Sequence, residues 1–316
     1  MTKRIEGWRP EFPSKTDGRR RPNLFIVGAM KCGTTSLHHY LNQHPDIFMS
    51  EPKEPQYLVD SPWYPKDLDW YLELFREAGD AIYAGESSTF YSKLPVYPGV
   101  PERISRLSPD ARIIYLMRDP IDRIISHYWH MVRQIGEWRP LRHLLDVDVE
   151  YLAYSDYALQ LEPYLDIFGR DRVYTLTLEA MKTDPQGEVA GVVRWLGLED
   201  QIPEDVYAQR WNALPPELPK ARGRAWLHRL RRTRLWDKIS SHIPRGVKDV
   251  ALALTYRRVN PKSVDLSDIA EDLRPHFQRK VAELEELLGR KFPEWVTTTG
   301  QTDSRRGGRA RRVGTA

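Results

Sequence analysis

Two stretches of this chain carry side chains whose types and spacing suit the holding of an anion. The first is Gly28-Ala-Met-Lys31-Cys32-Gly33, followed at once by Thr34, Thr35 and Ser36. A GxxxxG frame between an apolar run and a helical pattern turns backbone amides and the positive end of a helix dipole toward one point, where an oxyanion can sit. The amides of Cys32 and Gly33 belong to that turn, and Thr34, Thr35 and Ser36 add hydroxyl donors. In loops that hydrolyse ATP or GTP, a lysine directly follows the second glycine. Here Thr34 holds that position and the lysine is Lys31, inside the loop. Such a displacement suits a ligand whose transferable group hangs from a 5′ α-phosphate. The second stretch is Arg118-Asp-Pro, with Ser126 eight residues further on. A guanidinium there can grip a phosphate in a bidentate way, and Ser126 can donate a hydroxyl to the same group.

Both stretches need a scaffold, and the pattern around them supplies one. Asn23 to Gly28 is an apolar run that predicts a buried strand, and Thr34 to Asn42 follows helical spacing through Leu37, Tyr40 and Leu41. Ala111 to Met117 predicts a second strand, which stops at Arg118 and passes into a helix over about 121–133, Pro120 being tolerated at a helix start. A short helix over 69–78, a strand over 81–85, helical turns over 101–107, a strand over 172–178 and a helix over 188–196 complete the alternation. The clearest helix of the C-terminal third is Leu273 to Leu288, closed by Gly289. The expected fold is α/β: a P-loop-type parallel sheet with helices on both faces and a mainly helical C-terminal third. One domain over 22–298 is expected, with a flexible arm over 1–21 and a disordered basic tail over 299–316. Arg118 then lies at the carboxyl end of a strand, where open α/β sheets place ligands.

Composition narrows the partners. With 316 residues and 41% hydrophobic side chains the chain can bury a full core. The net charge of +4 is carried by the segment Gln301 to Ala316, which holds Arg305, Arg306, Arg309, Arg311 and Arg312 against Asp303. Outside it the charges balance, so a nucleic-acid partner is not expected. No membrane-length apolar run and no apolar leader are present, and Cys32 is the single cysteine. A cytosolic setting without integral membrane contact is therefore expected. Between Pro219 and Lys238 eight basic residues face only Asp237, a local surplus that suits an anionic ligand or a solvated face.

Pro22 to Leu37 resembles the 5′-phosphosulfate loop of the sulfotransferases that use 3′-phosphoadenosine 5′-phosphosulfate (PAPS), and Ile113 to Trp129 resembles their 3′-phosphate-binding segment. Glu51-Pro-Lys-Glu54-Pro-Gln-Tyr57 is similar to a segment of the bacterial and heparan-sulfate-like branch, and Leu284 to Trp295 to the C-terminal end of bacterial members. The resemblance covers roughly residues 22 to 296. It implies PAPS as donor, 3′-phosphoadenosine 5′-phosphate (PAP) as product, no required metal and an acceptor hydroxyl or amine on a glycan, lipid or other small molecule. Lys31 would stabilise charge on the bridging oxygen as sulfate leaves, Arg118 and Ser126 would hold the 3′ phosphate, and Glu54 would be the general base. His127 and His130 are the rival bases, in the manner of the hormone- and drug-modifying branch.

One departure stands out. Several relatives of the polysaccharide branch carry Glu-Lys after a glycine, whereas this chain reads Gly85-Glu86-Ser87. Lys31 alone, or a basic residue from 219–238, would then supply the positive charge. Trp63, Tyr64, Trp70 and Tyr71 fall where the family places part of its acceptor cleft, although core packing suits each of them as well. A P-loop nucleotide kinase or NTPase is the alternative, and it requires the lysine after Gly33 that this chain lacks.

Overall fold

The computed structural model describes residues 18–61, 67–208, 215, 217–221 and 256–300. Its centre is a five-stranded parallel sheet of β1 (Leu24–Gly28), β2 (Ile47–Met49), β3 (Tyr83–Ser87), β4 (Arg112–Met117) and β5 (Val173–Thr177), in the order β2-β3-β1-β4-β5. Leu24 to Val27 and Ile113 to Met117 are buried throughout, which is why both strands read as unbroken apolar runs rather than alternating ones. β1 lies between β3 and β4, with Ile26 opposite Ser87 on one side and Ile114 on the other. All three strands run the same way, so their carboxyl ends, and the loops that follow, stand side by side at the spacing of neighbouring strands, roughly 5 Å. A crevice at these strand ends is where such sheets bind ligands.

Among the described residues the helices are α1 (Thr34–Leu41), α2 (Leu68–Glu73), α3 (Val100–Leu107), α4 (Pro120–Ile135), α5 (Leu141–Val147), α6 (Glu150–Ala153), α7 (Tyr157–Phe168), α8 (Leu178–Thr183), α9 (Pro185–Trp195), α10 (Ser267–Leu288) and α11 (Val296–Thr299). The main core surrounds the sheet, and a second apolar cluster joins Ile124, Tyr128 and Trp129 of α4 to Leu141 and Leu144 of α5, Tyr151 of α6 and Phe277 of α10. An antiparallel pair, β6 (Leu218–Ala221) and β7 (Tyr256–Val259), stands apart from the sheet.

The expected α/β alternation is present. The helix read over 69–78 stops earlier: Phe75 leaves helical dihedrals at φ −109°, ψ 4°, and Arg76–Ala78 forms a separate 3-10 turn. β3 begins two residues later than expected and runs into the crevice, and α10 begins at Ser267 and carries Pro275 within it. Of the four helices between β4 and β5, α4 was expected, whereas α5, α6 and α7 have no counterpart in the sequence reading. Among the described residues no helix is long and apolar enough to cross a membrane.

Candidate active site

The loop from Gly28 to Gly33 closes because both glycines are pressed by neighbours. A Cβ on Gly28 would stand 2.0 Å from Ser92 Oγ, which itself donates to the Val27 carbonyl at 2.8 Å. A Cβ on Gly33 would meet Leu178 Cδ1 and Met181 Cε at 2.8 Å, and its φ of 95° is a left-handed conformation that glycine adopts without steric cost. Gly33 is the N-cap of α1 and offers no side chain to its amides. Among the described residues the amides of Met30, Lys31, Gly33 and Thr34 meet no backbone carbonyl, as the first turn of a helix requires. Lys31, also left-handed at φ 72°, stands in this mouth. Burial first, then the charges of Arg118 and Arg133, hold its ammonium below the ordinary lysine value, and the charge of Glu54 opposes them. A group of cations so close together is what a multiply charged anion would neutralise.

Cys32 turns the other way. Its side chain is buried, with Sγ 3.8 Å from the Tyr157 hydroxyl, and burial pushes the thiol up to about 12. Its amide donates to the Ala29 carbonyl at 3.2 Å, which closes the loop on itself.

Arg118 follows β4. Its amide donates to the Tyr157 hydroxyl at 3.3 Å, and that hydroxyl donates to the Arg118 carbonyl at 2.8 Å, which fixes the backbone beneath the guanidinium. The guanidinium lies 3.8 Å from Asp122, and its Nε is buried without a partner. Asp119 does not pair with Arg118. It caps α4 by accepting from the amides of Ile121 and Asp122, and it accepts from the Thr298 amide at 2.9 Å and the Thr298 hydroxyl at 2.8 Å. Thr297 donates to Asp122 at 3.1 Å, so α11 braces the carboxylates on both sides of the α4 start. Ser126 is buried on α4, one turn beyond Asp122.

Glu54 sits at the end of β3. Its amide donates to the Ser87 carbonyl at 3.0 Å, and its φ is 63°. Its carboxylate accepts from Lys53 Nζ at 2.9 Å, from Gln56 Nε2 at 3.3 Å and from the Thr89 hydroxyl at 3.4 Å. Lys31, Glu54 and Gln56 are the non-glycine residues with positive φ among the described residues, and all three stand at this crevice. Each left-handed residue costs of order 1–2 kcal/mol, and such strain concentrates at working sites.

The rival bases fare differently. His127 is buried, with its ring stacked 4.4 Å from Tyr151, and burial followed by the charges of Arg123, Lys93, His130 and Lys31 pushes it down to about 2. His130 is pushed down to about 4, by burial and then by Lys31, Lys93 and Arg133. Both stand among cations that keep them neutral.

Three residues escaped the sequence reading. Lys53 bridges Glu54 and, at 3.5 Å, the Thr34 hydroxyl. Lys93 is buried, with Nζ 3.2 Å from the centre of the Phe90 ring and 5.5 Å from that of Tyr154. Among the described residues its ammonium makes no hydrogen bond or ion pair; burial pushes it down to about 8, while Glu54 and Glu150 support its charge. A lysine seven residues past Glu86, just beyond the Ser87 departure, was the available signal. Glu86 is fully buried under the hydroxyls of Tyr71, Tyr91 and Ser88, and burial pushes it up to about 7. Tyr71 therefore belongs to the core, stacked 4.3 Å from Tyr57, and Trp70 packs at the core edge. Trp63, Tyr64, the basic tail and nearly all of the 219–238 stretch lie outside the described residues.

The sulfotransferase family model matches residues 22–202, more than half of the chain and both anion-binding stretches. Mouse heparan sulfate glucosamine 3-O-sulfotransferase 3B1 is 29% identical over 262 residues, 79% of this chain and 64% of that protein. Human heparan sulfate glucosamine 3-O-sulfotransferase 6 is 32% identical over 215 residues, 65% of this chain and 61% of that protein. The chain thus spans somewhat less than two thirds of the length of the curated relatives it matches. A sulfotransferase crystal structure from Alicyclobacillus acidocaldarius is similar over 87% of this chain and 99% of that one, at 27% identity and a TM-score of 0.63. With the crevice geometry, these likenesses settle the family: the chain belongs to the sulfotransferases.

Proposed function

We propose that the chain transfers a sulfuryl group from PAPS to a hydroxyl or amine of a glycan, lipid or other small-molecule acceptor, with Glu54 as general base. The observation that carries this reading is the meeting of Lys31, Arg118 and Glu54 at the ends of three adjacent parallel strands, two of them on strained backbone. The residues fit the donor. Gly28 and Gly33 let the loop close where a Cβ would strike Ser92, Leu178 or Met181, the amides of Lys31, Gly33 and Thr34 meet no backbone carbonyl among the described residues, and the partnerless buried Nε of Arg118 is a donor that a 3′ phosphate would satisfy. In this reading the 5′ phosphosulfate lies on the loop of Lys31, Cys32, Gly33, Thr34, Thr35 and Ser36, and the 3′ phosphate on Arg118 and Ser126.

The work of the chain is then placement and electrostatics. The acceptor proton passes to a Glu54 oxygen as the acceptor attacks sulfur, and Lys31 meets the charge that builds on the departing bridging oxygen. Thr89 and Gln56 hold the Glu54 carboxylate in position for this. The cytosolic setting expected from the sequence remains part of the proposal.

Calorimetric titration tests the donor: adenosine 3′,5′-bisphosphate should bind and ATP should not. Lys31→Ala and Arg118→Ala should each weaken that binding by about tenfold or more, the loss of one charge-assisted contact. Glu54→Gln should bind normally yet transfer label from radioactive PAPS into acceptors of a cell extract about a hundredfold more slowly or worse. Normal transfer by Glu54→Gln would remove it as base.

A further inference from the structure

The Lys53 ammonium stands between Glu54 and the start of α1. It lies 2.9 Å from Glu54 Oε1 and 3.5 Å from the hydroxyl of Thr34, the first residue of α1 at the phosphate loop. An ammonium has three donors, and among the described residues only these two acceptors meet it. The contacts of Glu54 divide into one charged contact, from Lys53, and neutral ones from Gln56 and Thr89. An ammonium held on a carboxylate oxygen occupies one of the lone pairs that could otherwise take the acceptor proton. The neutral contacts keep the carboxylate in place whether or not the charged one is made.

We propose that Lys53 is a donor-sensing residue: it holds Glu54 in an ion pair while the donor site is empty, and turns to the sulfuryl oxygens when PAPS binds. The proposal rests on the sulfuryl-transfer reading above. The reach is short, because Nζ is already beside the Thr34 hydroxyl, and its four-carbon stem turns easily. A phosphosulfate on the loop brings negative charge to that side, so the ammonium exchanges one anionic partner for another. The freed Glu54 oxygen then accepts the acceptor proton. The acceptor–sulfur bond forms as the bond from sulfur to the bridging oxygen breaks, and that electron pair goes to the 5′ phosphate. Lys53 keeps its three protons throughout. The Oε1 oxygen of the base is thereby freed in the donor-loaded enzyme.

PAPS and PAP differ by the sulfuryl group, so calorimetry of both nucleotides on the full chain isolates this contact. Lys53→Met should bind PAP within about twofold of the wild type and PAPS about tenfold more weakly. Lys53→Gln carries the same expectation if the methionine variant does not fold. A loss shared equally by both nucleotides, or no loss for either, would overturn the role of Lys53 and leave the donor reading intact. Failure of the wild-type chain to bind either nucleotide would overturn the donor reading, and this proposal with it.

Discussion

Replacing His127 by phenylalanine probes the charge environment of the crevice through stability. In the native protein the ring is buried against Tyr151 and stays neutral down to about pH 2, whereas in the unfolded chain it titrates near 6.5. Below 6.5 the unfolded state therefore binds a proton that the native state does not, and stability falls as the pH falls. Between pH 7 and pH 5 this single histidine removes about 2 kcal/mol. Glu86 acts with the opposite sign. Its native carboxyl, pushed up to about 7 from 4.5, takes its proton before the unfolded chain does, and acidification over the same interval returns about 2 kcal/mol. Urea unfolding followed by tryptophan fluorescence at pH 7 and pH 5 separates the two. The loss on acidification should be about 2 kcal/mol smaller in His127→Phe than in the wild type, and about 2 kcal/mol larger in Glu86→Gln. Equal losses in His127→Phe and the wild type would show that the histidine is not held neutral, and the picture of a ring buried beside Arg123 and Lys93 would fall with it.

Gly33→Ala should destabilise the fold by about 2 kcal/mol or more, since it adds left-handed strain and a clash with Leu178 and Met181, and should weaken nucleotide binding; thermal unfolding and calorimetry read both. Thr298→Val removes one donor to the buried Asp119 and should cost about 1–3 kcal/mol in urea unfolding, with a loss of nucleotide affinity through Arg118. Lys93→Met should be as stable as the wild type at pH 7, or more stable by up to about 3 kcal/mol, because it relieves a buried cation. That advantage fades as the pH rises past 8, where the native lysine loses its proton. A fall in transfer rate without a fall in stability would mark Lys93 as a working residue; unchanged transfer would mark it as packing.

The anion-binding half of the crevice was legible because it is local. A buried parallel strand writes itself as an apolar run, a phosphate loop needs glycine at fixed places, and Pro120 announces the start of α4. What the sequence concealed is non-local or conformational. The left-handed backbone of Lys31, Glu54 and Gln56 follows no propensity, because tertiary contacts impose it. Lys53 and Thr34 are 19 residues apart, and nothing in their spacing says that they touch. Glu86 enters the sequence reading only through the Ser87 that follows it, yet the hydroxyls of Tyr71, Ser88 and Tyr91 converge on its buried carboxyl. Helices α5 to α7 were missed since residues 141–168 mix tyrosine, leucine and acids, and their packing against α4 and the sheet defines them.

The brace from Thr298 to Asp119 also sets an order in time. Its two ends are 179 residues apart, so the start of α4, and with it the seat of Arg118, lacks its last two donors until the ribosome has passed residue 298. At ordinary rates of synthesis that delay is roughly 10 to 40 s. A nascent chain thus carries its phosphate loop long before its second anion grip is fully tied down, and nucleotide capture matures only once Thr298 has been added.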